Sequence, residues 1–171
     1  MRFFQQPAQR SETCAGIRIH GGDEFLRETQ KALTLLKPTA RFPEIQRHIY
    51  LIAQGRRSGM KAWAKEPTFV VGAATWRHST LWYAGAIAHD AYHAKLYAAA
   101  KQTSRGNEPN PDSWTGAEAE KQCLAFQLQV LQELNADVQT MGYLEGCLDH
   151  PTYQGRNRGW RSWLDYLKRG W

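Results

Sequence analysis

The chain has 171 residues, with 22 Lys and Arg against 16 Asp and Glu, six His and 42% hydrophobic residues. This composition suits a single globular domain over 1–171, and it excludes a disulfide-stapled miniprotein, a fibrous repeat and a disordered chain. No apolar run approaches the roughly 18 residues that a membrane-spanning helix needs.

The opening segment MRFFQQPAQR lacks the apolar core of a signal peptide, so a cytoplasmic chain and a processed secreted one are both compatible with it. Cys14, Cys123 and Cys147 stand at no metal-ligand spacing, and an odd count permits at most one internal bridge. The net charge of +6 is scattered, with a modest cluster in RNRGWRSWLDYLKRG near the end. That tail reads as an amphipathic helix with Trp160, Trp163, Leu164 and Leu167 inward and Arg161, Lys168 and Arg169 in water. Nucleic acid is therefore not an expected partner.

In chain order, Ala15–His20 reads as a short strand ended by two glycines. Asp23 reads as the N-cap of a helix to Leu36, with Phe25, Leu26, Thr29, Leu33 and Leu36 on the helical period and Pro38 as the stop. The run His48–Gln54 is a strand or a short buried helix, and GRRSGM after it is a loop. The span Thr68–Trp76, TFVVGAATW, is the best strand signal in the chain. A long helix follows from Ser79 or Thr80 to Lys101, then a Pro- and Asn-containing loop over Thr103–Trp114. A second long helix is predicted from Thr115 to Leu144.

The first long helix carries Ala88-His89-Asp90-Ala91-Tyr92-His93. His89 and His93 are one turn apart on the stripe of Trp82, Ala86 and Leu96, so both imidazoles leave the apolar side and can reach one ion. Taken alone, such a pair marks either a metal site or two capped or solvated histidines. On the second helix, Thr115-Gly116-Ala117-Glu118 reads as a capping box, and Glu118 continues into the polar stripe of Gln122, Gln129 and Gln132. Glu120 instead shares the stripe of Leu124, Gln127, Leu131 and Leu134. A carboxylate on an apolar face must be ion-paired or bind a metal. The sequence names no basic partner, which favours Glu120 as a ligand.

A strand, a helix with His-x-x-x-His and a second helix with a Glu 27 residues after His93 together resemble the gluzincin class of metallopeptidases. The segment LWYAGAIAHDAYHAKLY over 81–97 is also similar to the active helix of small zincin-like bacterial proteins. The resemblance spans residues 68–134 and implies an α+β fold: a small mixed sheet packed on an active-site helix and a Glu-bearing helix. It implies a zinc ion held by His89, His93 and Glu120, with water in the fourth position. It further implies hydrolysis of a peptide or protein substrate, lying extended along the edge strand before the active helix. Asp90 takes the place of the family's Glu as general base; its carboxylate stands one C–C bond, about 1.5 Å, further back. An oxyanion donor would come from Tyr153, His150 or Tyr143, in that order.

The chain departs from the larger families elsewhere. Leu124 stands four residues after Glu120, where gluzincins often carry an orienting carboxylate, which leaves Asp137 as the candidate for that role. Leu96 and Ala99 stand where the long metzincin motif has Gly and a third His. Two other functions compete. One is a zinc-stabilised binding module without catalysis. The other is a His-Asp metal phosphohydrolase using His89-Asp90, with His48 or His78 upstream and Asp137 or Asp149 downstream.

Overall fold

A computed structural model describes residues 9–149 apart from Gly106, and the side chain of Asp149 is not described. The tail carrying His150, Tyr153 and the Trp-rich segment lies outside the described residues. The fold is α+β, with a five-stranded mixed sheet packed against helices.

The chain starts as a hairpin, β1 (Arg10–Cys14) and β2 (Ile17–Gly21), in antiparallel register with Cys14 opposite Ile17. Ala15 and Gly16 have φ of 50° and 77°, the double positive φ that a tight two-residue hairpin turn requires. The expected strand at Ala15–His20 is thus β2 with its turn, and β1 is a partner the sequence did not reveal. In β2, Ile17 and Ile19 are fully buried while Arg18 is exposed, so one face of the sheet carries the core.

Helix α1 (Asp23–Leu36) follows as expected, except that Gly22 caps it and Asp23 and Glu24 occupy its first turn, where negative charge suits the dipole. The periodic positions Phe25, Leu26, Thr29, Leu33 and Leu36 are all buried. Thr29 Oγ1 donates to the Phe25 carbonyl at 2.7 Å and receives the Tyr83 hydroxyl at 2.9 Å. Of the ambiguous run His48–Gln54, only His48 belongs to a helix, the short α2 (Phe42–His48), and Leu51–Gln54 form a strand, β3.

The loop expected at GRRSGM gives way at Gly59 to a three-residue strand, β4 (Gly59–Lys61). β5 (Thr68–Val71) is only the first half of the expected 68–76 strand. The Gly72 amide donates to Ser58 Oγ at 3.0 Å, and the amides of Thr75 and Trp76 turn back to the Gly72 carbonyl. Those bonds make Ala73–Trp76 a helical turn, α3, which seats Trp76 edge-on against Phe25 in the core.

The strand order is β1-β2-β3-β5-β4, with β2, β3 and β5 parallel and β4 antiparallel to β5. The strand directly before the long histidine-bearing helix, β5, is therefore interior. The sequence expectation that it forms an edge for substrate is corrected: the terminal strand on that side is β4.

Helix α4 (Thr80–Thr103) opens at Ser79, whose hydroxyl accepts from the Trp82 amide at 3.1 Å, and runs for 24 residues under the sheet. Tyr83, Ile87, Ala88, Ala91 and Ala94 join the core of Ile17, Ile19, Ile52, Phe69 and Val71.

The second long helix is not continuous. α5 (Asp112–Thr115) and α6 (Ala117–Glu133) meet at Gly116, and α7 (Val138–Asp149) follows a break. The expected capping box does not form. Thr115 belongs to α5 and its hydroxyl donates to the Pro111 carbonyl at 2.8 Å, while Gly116 caps α6 without a side chain. At the break Asn135 adopts a φ of 53°, letting the Ala136 amide return to the Leu131 carbonyl at 2.9 Å. Asp137 then accepts from the Thr140 amide and hydroxyl at 2.8 and 2.7 Å, starting α7. The far end of α6 is tied to the α1–α2 connection by the Arg41–Glu133 ion pair and by the Ala40 amide on Glu133.

Candidate metal centre

The centre lies where α4 and α6 pack together. Gly85 sets the approach: a Cβ there would stand 3.1 Å from Gln127 Nε2 and 3.2 Å from Leu131. One turn further along α4, His89 faces Gln127, and His93 follows on the same stripe. From α6, Glu120 brings its carboxylate between the rings. Oε2 is 3.3 Å from His89 Nε2, Oε1 is 3.3 Å from His93 Nε2, and the two Nε2 atoms are 3.1 Å apart.

The other nitrogens are fully engaged. His93 Nδ1 lies 2.7 Å from the Trp114 carbonyl oxygen, and His89 Nδ1 lies 3.0 Å from Gln127 Oε1. Both partners are acceptors, so both Nδ1 atoms carry the proton and both Nε2 atoms are bare when the rings are neutral. Three acceptor groups then converge with no donor among them. Such a cluster is repulsive unless positive charge sits between them, either a proton or a metal cation. Orientation of each imidazole by an acceptor on its far nitrogen is the usual arrangement of a histidine that ligates metal.

The local electrostatics reflect this convergence. Burial by itself would lower the affinity of His93 for a proton, but Cys123 and Glu120 beside it raise its pKa well above the ordinary value. Burial would raise Glu120, yet hydrogen bonding from His89 and His93 outweighs it and holds the carboxylate far below the usual range. Burial also raises Asp90, opposed by His89 and His93 and assisted by Glu120. Asp90 thus feels the whole cluster, while among the described residues no hydrogen bond or ion pair holds its carboxylate.

The structure brings His89, His93 and Glu120 together as the sequence predicted, with Asp90 beside them. Glu118 is exposed, in keeping with its polar stripe. Cys123, set aside on sequence spacing, is corrected. It is fully buried, and its Sγ and one nitrogen each of His89 and His93 all lie within 4.8 Å of one another. The informative spacing is not to another cysteine but to Glu120, three residues earlier on the same face of α6.

Asp137 is also corrected as the orienting residue, because its oxygens are spent on Thr140. Gln127 and the Trp114 carbonyl take that role. Gln127 was visible on the Glu120 stripe, whereas a main-chain carbonyl delivered by α5 carries no sequence signal.

Tyr143 does not join the donors; its ring packs 6.1 Å from that of Trp82, about two turns from His89 along α4. Tyr153 and His150 lie outside the described residues. Of the residues nominated for a phosphohydrolase, His48 pairs with Glu44 at 3.4 Å and His78 stacks near Trp82 at 5.4 Å, both apart from the cluster.

A hollow of about 560 Å³ opens along α4 against Ala94, Tyr97, Ala98 and Lys101, with Tyr50 and Ala62 opposite. Asp90, Ala94 and Ala98 recur every fourth residue, so the hollow continues the Asp90 side of the helix. Between it and the centre stands an aromatic wall. Trp114 lies edge-on to Tyr97 at 5.2 Å and meets Trp63, which is 56% exposed, at 5.7 Å. Among the described residues no helix is long and apolar enough to cross a membrane. Compared with protein-family models, curated proteins and solved structures, the chain has no match.

Proposed function

We propose that the protein is a zinc-dependent hydrolase of the peptidase type, with His89, His93 and Glu120 holding the ion and Asp90 as general base. The observation supporting the metal is the convergence of three acceptor groups at 3.1–3.3 Å with both imidazoles already oriented from behind. Two neutral imidazoles and a carboxylate match the donor set of catalytic zinc. Bound zinc would act as a Lewis acid that brings the pKa of a water towards about 7.

The residues of the chain supply the rest. Asp90 follows His89 by one position, about 100° around α4, so its carboxylate flanks the donors. Its lack of a hydrogen-bond partner leaves it able to take a proton from the attacking water and pass it to the leaving amine. Burial, by raising its pKa, makes that proton easier to hold. The hollow along Ala94 and Ala98 offers space for side chains of an extended peptide, and Ala62, directly after the edge strand β4, lines it. Tyr153 keeps the oxyanion-donor role that the family resemblance gives it.

The experiment is zinc titration with peptide hydrolysis on single variants. Glu120→Ala should lose zinc affinity while Glu118→Ala keeps it; the opposite result selects the wrong carboxylate. Asp90→Asn should retain zinc and lose the roughly 10²–10⁴-fold that a general base supplies, and Asp90→Glu should preserve or raise activity. Loss of zinc in Asp90→Asn makes the residue a ligand and favours phosphohydrolase chemistry instead.

A further inference from the structure

Resting on the zinc reading above, we propose that Cys123 is a fourth donor, so that the resting centre is closed by His89, His93, Glu120 and Cys123. The Cys123 sulfur and one nitrogen each of His89 and His93 gather within 4.8 Å, and Glu120 reaches both imidazoles at 3.3 Å. Residues 120 and 123 stand one turn apart on α6, opposite residues 89 and 93 on α4. Cys123 is fully buried, and its sulfur shares a 4.8 Å neighbourhood with a nitrogen of each imidazole.

A buried cysteine is often only a small apolar filler. This one sits among the proposed ligands, on the same turn as the carboxylate, where an alanine would fill an apolar niche as well. Cys123 would bind such an ion as the thiolate, its proton passing to solvent.

The consequence is regulatory. Zinc centres with four protein donors are structural, and those with three plus water are catalytic. With zinc so held, hydrolysis would require water to replace the Cys123 sulfur, which would take back a proton as it left. Cys123 also selects the metal, since a soft sulfur favours zinc or cobalt over manganese or magnesium.

The test uses the full chain loaded with Co²⁺, whose thiolate complexes give an intense near-ultraviolet charge-transfer band. Wild type should bind one equivalent and show the band. Cys123→Ser should bind one equivalent without it and, loaded with zinc, hydrolyse peptides faster than wild type. One bound cobalt without the band in wild type overturns Cys123 as a ligand and leaves the three-residue centre standing. No cobalt or zinc uptake at all overturns the metal centre itself. A band that disappears in Cys123→Ser with no gain in hydrolysis keeps the ligand and overturns the gating. If the serine variant fails to fold by circular dichroism, X-ray absorption of zinc-loaded wild type decides: a sulfur at about 2.3 Å supports the proposal, and a shell of nitrogen and oxygen alone overturns it.

Discussion

His93 donates its Nδ1 proton to the Trp114 carbonyl at 2.7 Å, and this turns its Nε2 towards the Nε2 of His89, 3.1 Å away. The relationship explains the short helix α5. With Trp114 seated against Tyr97 and Trp63, α5 presents its carbonyl to the Nδ1 of His93, while Glu120 of α6 faces the Nε2. Gln127 performs the matching task for His89 from within α6.

Gln127 therefore controls the tautomer and aim of His89. Gln127→Leu should keep the fold, because the position is buried and the volumes are similar, but lower zinc affinity by about 10–100-fold, the usual effect of losing a partner behind a ligand. Competition with a chromophoric chelator measures it. An unchanged affinity would show that His89 is held by packing alone.

The pH dependence of stability should differ with and without metal. In the metal-free protein the raised His93 contributes stability that is complete below about pH 6.5, its unfolded value, and is lost as pH rises through its folded value. The depressed Glu120 contributes above about pH 4.3 and loses its contribution as pH falls through its folded value. The contribution of this pair is then greatest between those limits. Zinc needs unprotonated ligands, so its added stability should grow as pH rises through neutrality, with protons released on binding. Melting temperature against pH, with and without zinc, checks the first point. Calorimetry in buffers of different ionisation enthalpy checks the second. A zinc increment that does not change with pH would remove His93 from the ligand set.

The buried hydroxyl pair of Thr29 and Tyr83 offers a stability test away from the metal. Thr29 Oγ1 spends its proton on the Phe25 carbonyl, so the Tyr83 hydroxyl must be the donor between the two. Tyr83→Phe removes that donor cleanly and should cost about 0.5–1.5 kcal/mol. Thr29→Val strands a buried tyrosine hydroxyl and should cost more, about 1–3 kcal/mol. Chemical denaturation should show that order; equal costs would mean that the tyrosine finds another partner when Thr29 is removed.

The sequence by itself determined the elements whose signal is local. The period of α1 from Phe25 to Leu36, the Ser79 cap and Ala-rich run of α4, and the one-turn spacing of His89 and His93 are properties of neighbouring residues, and each is where the sequence put it. The separation of Glu118 from Glu120 was equally legible, because two residues differ by about 200° around a helix and only one stripe was apolar. What failed locally was decided by bonds between distant segments. Strand β5 stops at Val71 because Ser58, fourteen residues earlier, takes the Gly72 amide. The α6–α7 break is local instead: Asn135 at φ 53° and the Asp137–Thr140 bonds end one helix and start the next where a continuous helix to Leu144 was expected.

The site divides in the same way. Which side chains could serve as donors was legible from stripes on single helices, but which stripes meet is set by the packing of α4 on α6, made close by Gly85. Only that meeting places Cys123 beside the imidazoles and Gln127 and the Trp114 carbonyl behind them. Strand pairing likewise put β4, not β5, at the end of the sheet. Strand order and helix contact are choices among long-range pairings of similar local cost, so the whole core must be assembled before one of them is favoured.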